Sequence, residues 1–242
     1  LEEIEHSLLR ASSEGVEHIF MPNVDIESID EMISVEAKFP NCHSMMGIHP
    51  CSVKEDWELN IKIIENWFSN RKFSGVGETG IDLYWDKTHI ENQISSFDAQ
   101  IVLSKEMKIP IIIHSRDSLD ITIDMIEKRQ DGHLTGVFHC FTGNENDAKR
   151  IIDVGFYMGI GGVVTYKNSN LGSILTNIGT SNLVLETDSP YLPPVPMRGK
   201  KNEPSFLKFI IKKLAEVFNC EEEDIAAITT KNSMRLFQSS FE

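Results

Sequence analysis

An α/β fold whose parallel strands close into a barrel is the architecture this sequence predicts, and three observations predict it. Apolar runs of strand length recur along the whole chain, rich in β-branched and aromatic residues with little polar alternation, as in strands buried on both faces. Segments of helical periodicity separate them, so strand and helix alternate. The runs end on polar, charged or glycine residues: His49, Glu78, His114, the pair His139 and Cys140, Gly161 and Asp188. Alternation alone fits a doubly wound sheet as well as a closed barrel. The run ends separate the two, because in a (β/α)8 TIM barrel every strand end reaches one face, so residues spread over about 140 positions would converge on one pocket. An open sheet would spread them along an edge.

The chain opens on a helix, with Ile4, Leu8 and Leu9 at helical spacing ahead of the turn signal at Gly15. Strand-like runs follow at residues 18–24, 44–49, 73–78, 109–114, 136–140, 156–161 and 183–188. Helical patterns lie between them, among others at 61–68, 90–107 and 119–128. The Pro-rich stretch from Pro190 to Pro196 reads as a loop leaving the last strand. Helical patterns at 206–218 and 224–237 are expected to cover the outside of the barrel. Seven strands behind a leading helix leave an eight-stranded barrel one strand short. We therefore expect a first strand ahead of Leu1, within about 15–20 residues that this chain does not include.

With 242 residues, 40% of them hydrophobic, the chain can bury one substantial core, and a single domain over residues 1–242 is expected. No run approaches the roughly 18 apolar residues that span a bilayer, and no basic-then-apolar leader opens the chain. A cytoplasmic location without membrane association is expected. Cys42, Cys51, Cys140 and Cys220 are scattered and form no C-x-x-C pair, which points to reduced thiols. The net charge of -14 argues against a broad basic surface that binds duplex nucleic acid by counterion release. Contact with such a polymer is expected to be weak and local, one phosphodiester being held by divalent cations and one or two arginines.

Glu78, His114, His139 and Asp188 are four residues of metal-ligand type at the ends of four separate strand runs. Imidazole with carboxylate suits a borderline divalent ion such as zinc or manganese, and convergence on one face leaves positions open for water. Any one of them alone is as readily a core histidine or a helix-capping acid; four in this placement read as a catalytic metal site. Arg116 sits at the start of the loop after its strand, where a planar guanidinium can grip two phosphate oxygens or, instead, pair with Asp117. His49, held by Pro50, reads as a substrate contact, a support for a ligand or a holder of its turn. Asp82 supports a metal ligand and Tyr84 touches phosphate or a base, or both fix the loop after Gly80. Glu186 points to the same side of its strand as Asp188, as a ligand's support or as the partner of a cation. Gly159, Gly161 and Gly162 lack the setting of a dinucleotide fingerprint and read as close packing at a strand end.

These residues stand in a series of stretches: Gly47-Ile-His-Pro50, Gly77-Glu-Thr-Gly-Ile-Asp82, His114-Ser-Arg-Asp117, His139-Cys-Phe-Thr-Gly143, Glu186-Thr-Asp-Ser-Pro190, Arg198-Gly-Lys-Lys-Asn-Glu-Pro204 and Asn232-Ser-Met-Arg-Leu-Phe237. In them, and over nearly the whole chain, the sequence resembles the TatD family of metal-dependent DNases, among the amidohydrolase-like metallohydrolases. The resemblance implies a TIM-barrel enzyme that cleaves DNA phosphodiester bonds by a metal-activated water. It implies two divalent ions, zinc, manganese or magnesium, and DNA ends or single strands as substrate. It also implies that Glu78 bridges the ions, that His114 and His139 bind one of them, and that Asp188 binds the other and orients or deprotonates the attacking water. Arg116 joins Glu78 and Asp188 as a catalytic residue, and His49, Tyr84 and Arg116 are the candidate substrate contacts.

The family's His-x-His pair belongs on the first strand and is not among these 242 residues. With that strand ahead of Leu1 the site is complete; without it the second ion would be weakly held. The same type of ligand set serves hydrolases of amides, esters and small phosphoesters. Hydrolysis of another bond, including deacylation of aminoacyl-tRNA, is therefore an alternative, as is a catalytically silent quality-control protein.

Overall fold

Strand and helix alternate in both of the units into which the chain divides. A computed structural model describes residues 2–240, except for the side chain of residue 239. From the N-terminus, α1 (Glu2–Ser13) leads into β1 (Ile19–Pro22), α2 (Ile29–Lys38), β2 (Cys42–Met45), α3 (Trp57–Asn70) and β3 (Val76–Asp82). Next come α4 (Ile90–Met107), β4 (Ile111–Arg116), α5 (Leu119–Arg129), β5 (Gly136–Phe138), α6 (Glu145–Asp153) and β6 (Tyr157–Ile160). The chain continues through α7 (Leu171–Ile178), β7 (Leu183–Leu185), α8 (Leu207–Phe218) and α9 (Glu222–Leu236). One unit comprises Phe20–Phe138 with the chain from Leu236; the other comprises His139–Arg235 with the chain up to Ile19.

In the first unit β1 pairs with β2, and β4 lies parallel between β3 and β5. A parallel bridge from Met46 to Val76 links β2 to β3. Asn23 reinforces that joint: its N–H faces the carbonyls of Met45 and Gly77, and its carbonyl accepts the N–H of Glu78 at 3.0 Å. Ile111, Ile112 and Ile113 are consecutive and all buried, which a strand shows only when both its faces are covered. Val76, Ile81, Phe97 and Ile101 are fully buried with them, each contributing roughly 1.5–3 kcal/mol of burial. α4 closes on Lys108, whose left-handed backbone (φ 57) lets its N–H reach the carbonyls of Ser104 and Lys105.

In the second unit β6 runs parallel to β7, with Gly159 opposite Val184. α6 starts on a capping box in which Asn144 and Asp147 each satisfy the other's backbone N–H. Asn232 of α9 donates to the carbonyls of Thr180 and Leu183 at 3.0 and 2.8 Å, tying that helix to the start of β7. Arg10 of α1 forks onto Glu203.

All seven predicted strands are present, with shifted ends. The second stops at Met45 and leaves His49 in the following turn. The third does not end at Glu78 but continues to Asp82, because β4 supplies ladder partners to Thr79, Gly80, Ile81 and Asp82. Glycine and polar residues there look like a turn in sequence, yet a strand's backbone bonds do not depend on apolar side chains. Among the described residues no helix is long and apolar enough to cross a membrane, and no disulfide joins the cysteines.

Candidate metal centre

Glu78, Gly80 and Asp82 alternate on β3, so their side-chain directions share one face of the sheet. The register with β4 shifts between Val76 and Thr79, the stretch that holds Glu78. β4 then sets His114 opposite Gly80. Only glycine fits there: it has φ 140, and a Cβ would lie 2.0 Å from the His114 carbonyl oxygen.

His114 is held between two carboxylates. Its Nδ1 is 2.9 Å from Glu78 Oε1 and its Nε2 is 2.9 Å from Asp82 Oδ2. The second carboxylate is fixed by its own bonds, since Asp82 Oδ1 accepts the N–H groups of Tyr84 and Trp85 at 2.9 and 3.1 Å. Burial alone would push the Asp82 carboxyl up, but bonds from the Trp85 amide, from His114 and from the Tyr84 amide outweigh it and hold the carboxyl below its ordinary 3.8. An ionised Asp82 only accepts, so the His114 Nε2 that faces it is the donor, and Nδ1 is the nitrogen left beside Glu78 that a cation there would take.

His49 approaches Glu78 from the turn after β2. Its Nδ1 accepts the N–H of Cys51 at 3.1 Å, which leaves Nε2 facing Glu78 Oε1 at 3.4 Å. Burial would lower the basicity of His49; the Cys51 side chain and the Glu78 carboxylate reverse this and raise the ring to about 9. The turn is gripped from behind by Gln100 of α4, which accepts the N–H of Ile48 at 2.9 Å and donates to its carbonyl at 3.2 Å. Gln93, two helical turns earlier, accepts the N–H of Asp82 at 2.9 Å.

Ligand atoms of His49, Glu78 and His114 all lie within 4.8 Å of one another. Bonds of about 2.0–2.2 Å at angles of about 90–110° place neighbouring ligand atoms roughly 2.9–3.5 Å apart. The observed separations of 2.9 and 3.4 Å fall in that window, and two imidazoles with one carboxylate suit zinc or manganese. These residues therefore fit a divalent cation.

Arg116 ends β4 with its guanidinium over the Tyr84 ring at 3.9 Å and 5.4 Å from the Trp85 ring. The ion pair with Asp117 is not formed among the described residues. The chain turns there through a left-handed Asp117 (φ 56), and the cation takes the aromatic face instead.

The second unit holds the other candidates. The Cys140 N–H donates to Glu186 Oε1 at 2.8 Å, and His139 Nδ1 stands 3.7 Å from the same oxygen. Glu186 is thus a carboxylate companion to His139, as Asp82 is to His114. A Cβ on Gly159 would lie 2.3 Å from Glu186 Oε2, so the bare backbone of β6 makes room for that pair. Asp188 is half-buried on the loop after β7 with φ 56. Asp117, Cys140 and Asp188 all have positive φ just past a parallel strand, a strain of order 1 kcal/mol each that gathers at functional loops.

Of the four predicted ligands, Glu78 and His114 meet directly, and His49 joins them although sequence placed it no more narrowly than as a contact or a support. Sequence reasoning missed Gln93, Gln100 and Trp85. The two glutamines carry one faint signal, a spacing of two helical turns on one helix face.

An imidazole–carboxylate cluster in strand-and-helix units is the kind of site that a metal-dependent hydrolase uses. The chain belongs to the TatD-related DNase family, whose profile it matches over residues 2–238. It is 34% identical over 237 residues to the metal-dependent hydrolase YabD of Bacillus subtilis, covering 98% of this chain and 93% of that one. It is 27% identical over 238 residues to the 3'-5' ssDNA/RNA exonuclease TatD of Salmonella typhimurium, covering 96% and 92%. The crystal structure of YjjV, a TatD homologue from Escherichia coli, matches with a TM-score of 0.92 at 27% identity, over 98% of this chain and 92% of that one. The chain thus has the α/β TIM-barrel fold of these proteins.

Proposed function

We propose that this chain hydrolyses phosphodiester bonds of DNA, at ends or on single strands, as one hydrolase domain with two divalent ions, zinc, manganese or magnesium. The observation that carries the reading is the convergence of His49 and His114 on Glu78 in a geometry that fits a cation, with Arg116 on the adjoining strand end. A divalent ion bound there supplies Lewis-acid charge that makes water a nucleophile near neutral pH and offsets the charge of the phosphoryl oxygens.

The chain's own groups do the rest. Glu78 has two oxygens and so is suited to bridging. His114 is kept in one tautomer by Asp82 and presents Nδ1. His139 and Asp188 remain the further ligands, and the Asp188 carboxylate orients or deprotonates the attacking water. Stacking on Tyr84 occupies the face of Arg116 and leaves its N–H edge for two phosphate oxygens. The name of the Salmonella relative supports a nucleic acid as substrate.

Elemental analysis and nuclease assay on the same samples test the reading. We expect about two ions per chain with release of nucleotides, and losses of roughly 100-fold or more in both affinity and turnover for Glu78→Gln and His139→Ala. Bound metal without nucleotide release would move the reading to a small ester, phosphoester or amide, which the charge of -14 favours. Absence of metal would reject the site.

A further inference from the structure

The loop after β3 presents an aromatic pair to water. Trp85 is 70% exposed and Tyr84 54% exposed, yet both are held on a fixed backbone, because their N–H groups bind Asp82 Oδ1. The rings meet edge to face, with centroids 5.0 Å apart at 89°. Arg116 lies over Tyr84 with no hydrogen bond or ion pair on its guanidinium among the described residues. The carboxylate that fixes this loop is the one that orients His114, so loop and metal centre share a single anchor.

An exposed indole and a stacked guanidinium with unused N–H groups are the parts with which proteins hold unpaired nucleotides, ring against base and cation against phosphate. We propose that Trp85, with Tyr84 and Arg116, forms a platform on which one unpaired base stacks while the phosphodiester of the same strand lies at the metal centre. The proposal rests on the phosphodiesterase reading above and names the feature of the substrate that it selects. Inside a duplex each base has both faces covered by its neighbours, so the platform accepts single strands and frayed ends. Stacking also suits a chain of net charge -14, which cannot hold a nucleic acid by a broad basic surface.

The test uses the full-length protein with its metal removed by a chelator and a short single-stranded oligodeoxynucleotide of mixed sequence, so that binding is read without turnover. Trp85 is the exposed one of the three tryptophans, and we expect the oligonucleotide to quench its fluorescence. Trp85→Ala keeps the backbone N–H that binds Asp82; it should abolish that quench and weaken binding about 5- to 100-fold. Trp85→Phe should restore most of the affinity, because a flat ring still stacks. In the metal-loaded protein Trp85→Ala should raise KM for single strands more than it lowers kcat. Equal affinity of wild type and Trp85→Ala, or no binding by wild type, would overturn the platform. Hydrolysis of bis(p-nitrophenyl) phosphate by the metal-loaded wild type then shows whether the phosphodiesterase reading stands or falls with it.

Discussion

Asp82 anchors two neighbourhoods at once, the amides of Tyr84 and Trp85 on one oxygen and the His114 ring on the other. Asparagine has nearly the same shape, but its NH2 must face one of these donors, and neither arrangement preserves both sets of bonds. Asp82→Asn should weaken divalent-ion binding about 10- to 100-fold by calorimetric titration while circular dichroism stays native. An unchanged affinity would mean that His114 is oriented by something else. The carboxyl is held below its ordinary 3.8, so its stabilisation is complete above that value and is lost as pH falls through the folded value. Metal-free Asp82→Asn should therefore lose less stability than the wild type as the pH is taken below 3.8, measured by thermal melting.

Among the elements, α4 shows most directly how the scaffold serves the site. Its buried face carries Gln93, Ser96 and Gln100 beside Phe97 and Ile101, which is costly for a core helix unless each polar group is bonded. Gln100 closes both backbone groups of Ile48, left without a ladder partner where β2 has stopped, and Gln93 takes the N–H of Asp82. Gln100→Leu keeps the volume and strands the Ile48 N–H and carbonyl. We expect a loss of about 1–3 kcal/mol in urea unfolding at unchanged slope, and weaker metal binding through a displaced His49. A stability within error of wild type would show that Ile48 finds other partners. The positions of α4 were legible in sequence, whereas the purpose of its glutamines was not, because periodicity registers that a face is buried and not what the polar groups on it touch.

For the molecule as a whole, the charge of -14 limits how a polyanion can be held. A single strand gripped through one or two arginines should show a slope of log affinity against log salt of only about -0.7 to -1.4, measured by anisotropy from low to physiological salt. A slope several times steeper would require a basic track that the composition does not supply. The fold at this scale was legible because alternation of buried strands and amphipathic helices survives in any single sequence. The candidate ligands were legible because histidines and acids at strand ends stand out against apolar runs.

The sequence by itself determined the α/β class, the seven strands, and the residue types from which a metal site is built. Tertiary structure alone decided that β3 runs on past Glu78 to Asp82, that His49 turns its Nε2 to Glu78, that the His114 ring sits between Asp82 and Glu78, and that Arg116 stacks on Tyr84 instead of pairing with Asp117. The physical reason is common to all four. Hydrophobic periodicity records how much water each position sees, which is a local property of the chain, whereas the partner of a polar atom depends on strand register and on bonds between residues far apart in sequence.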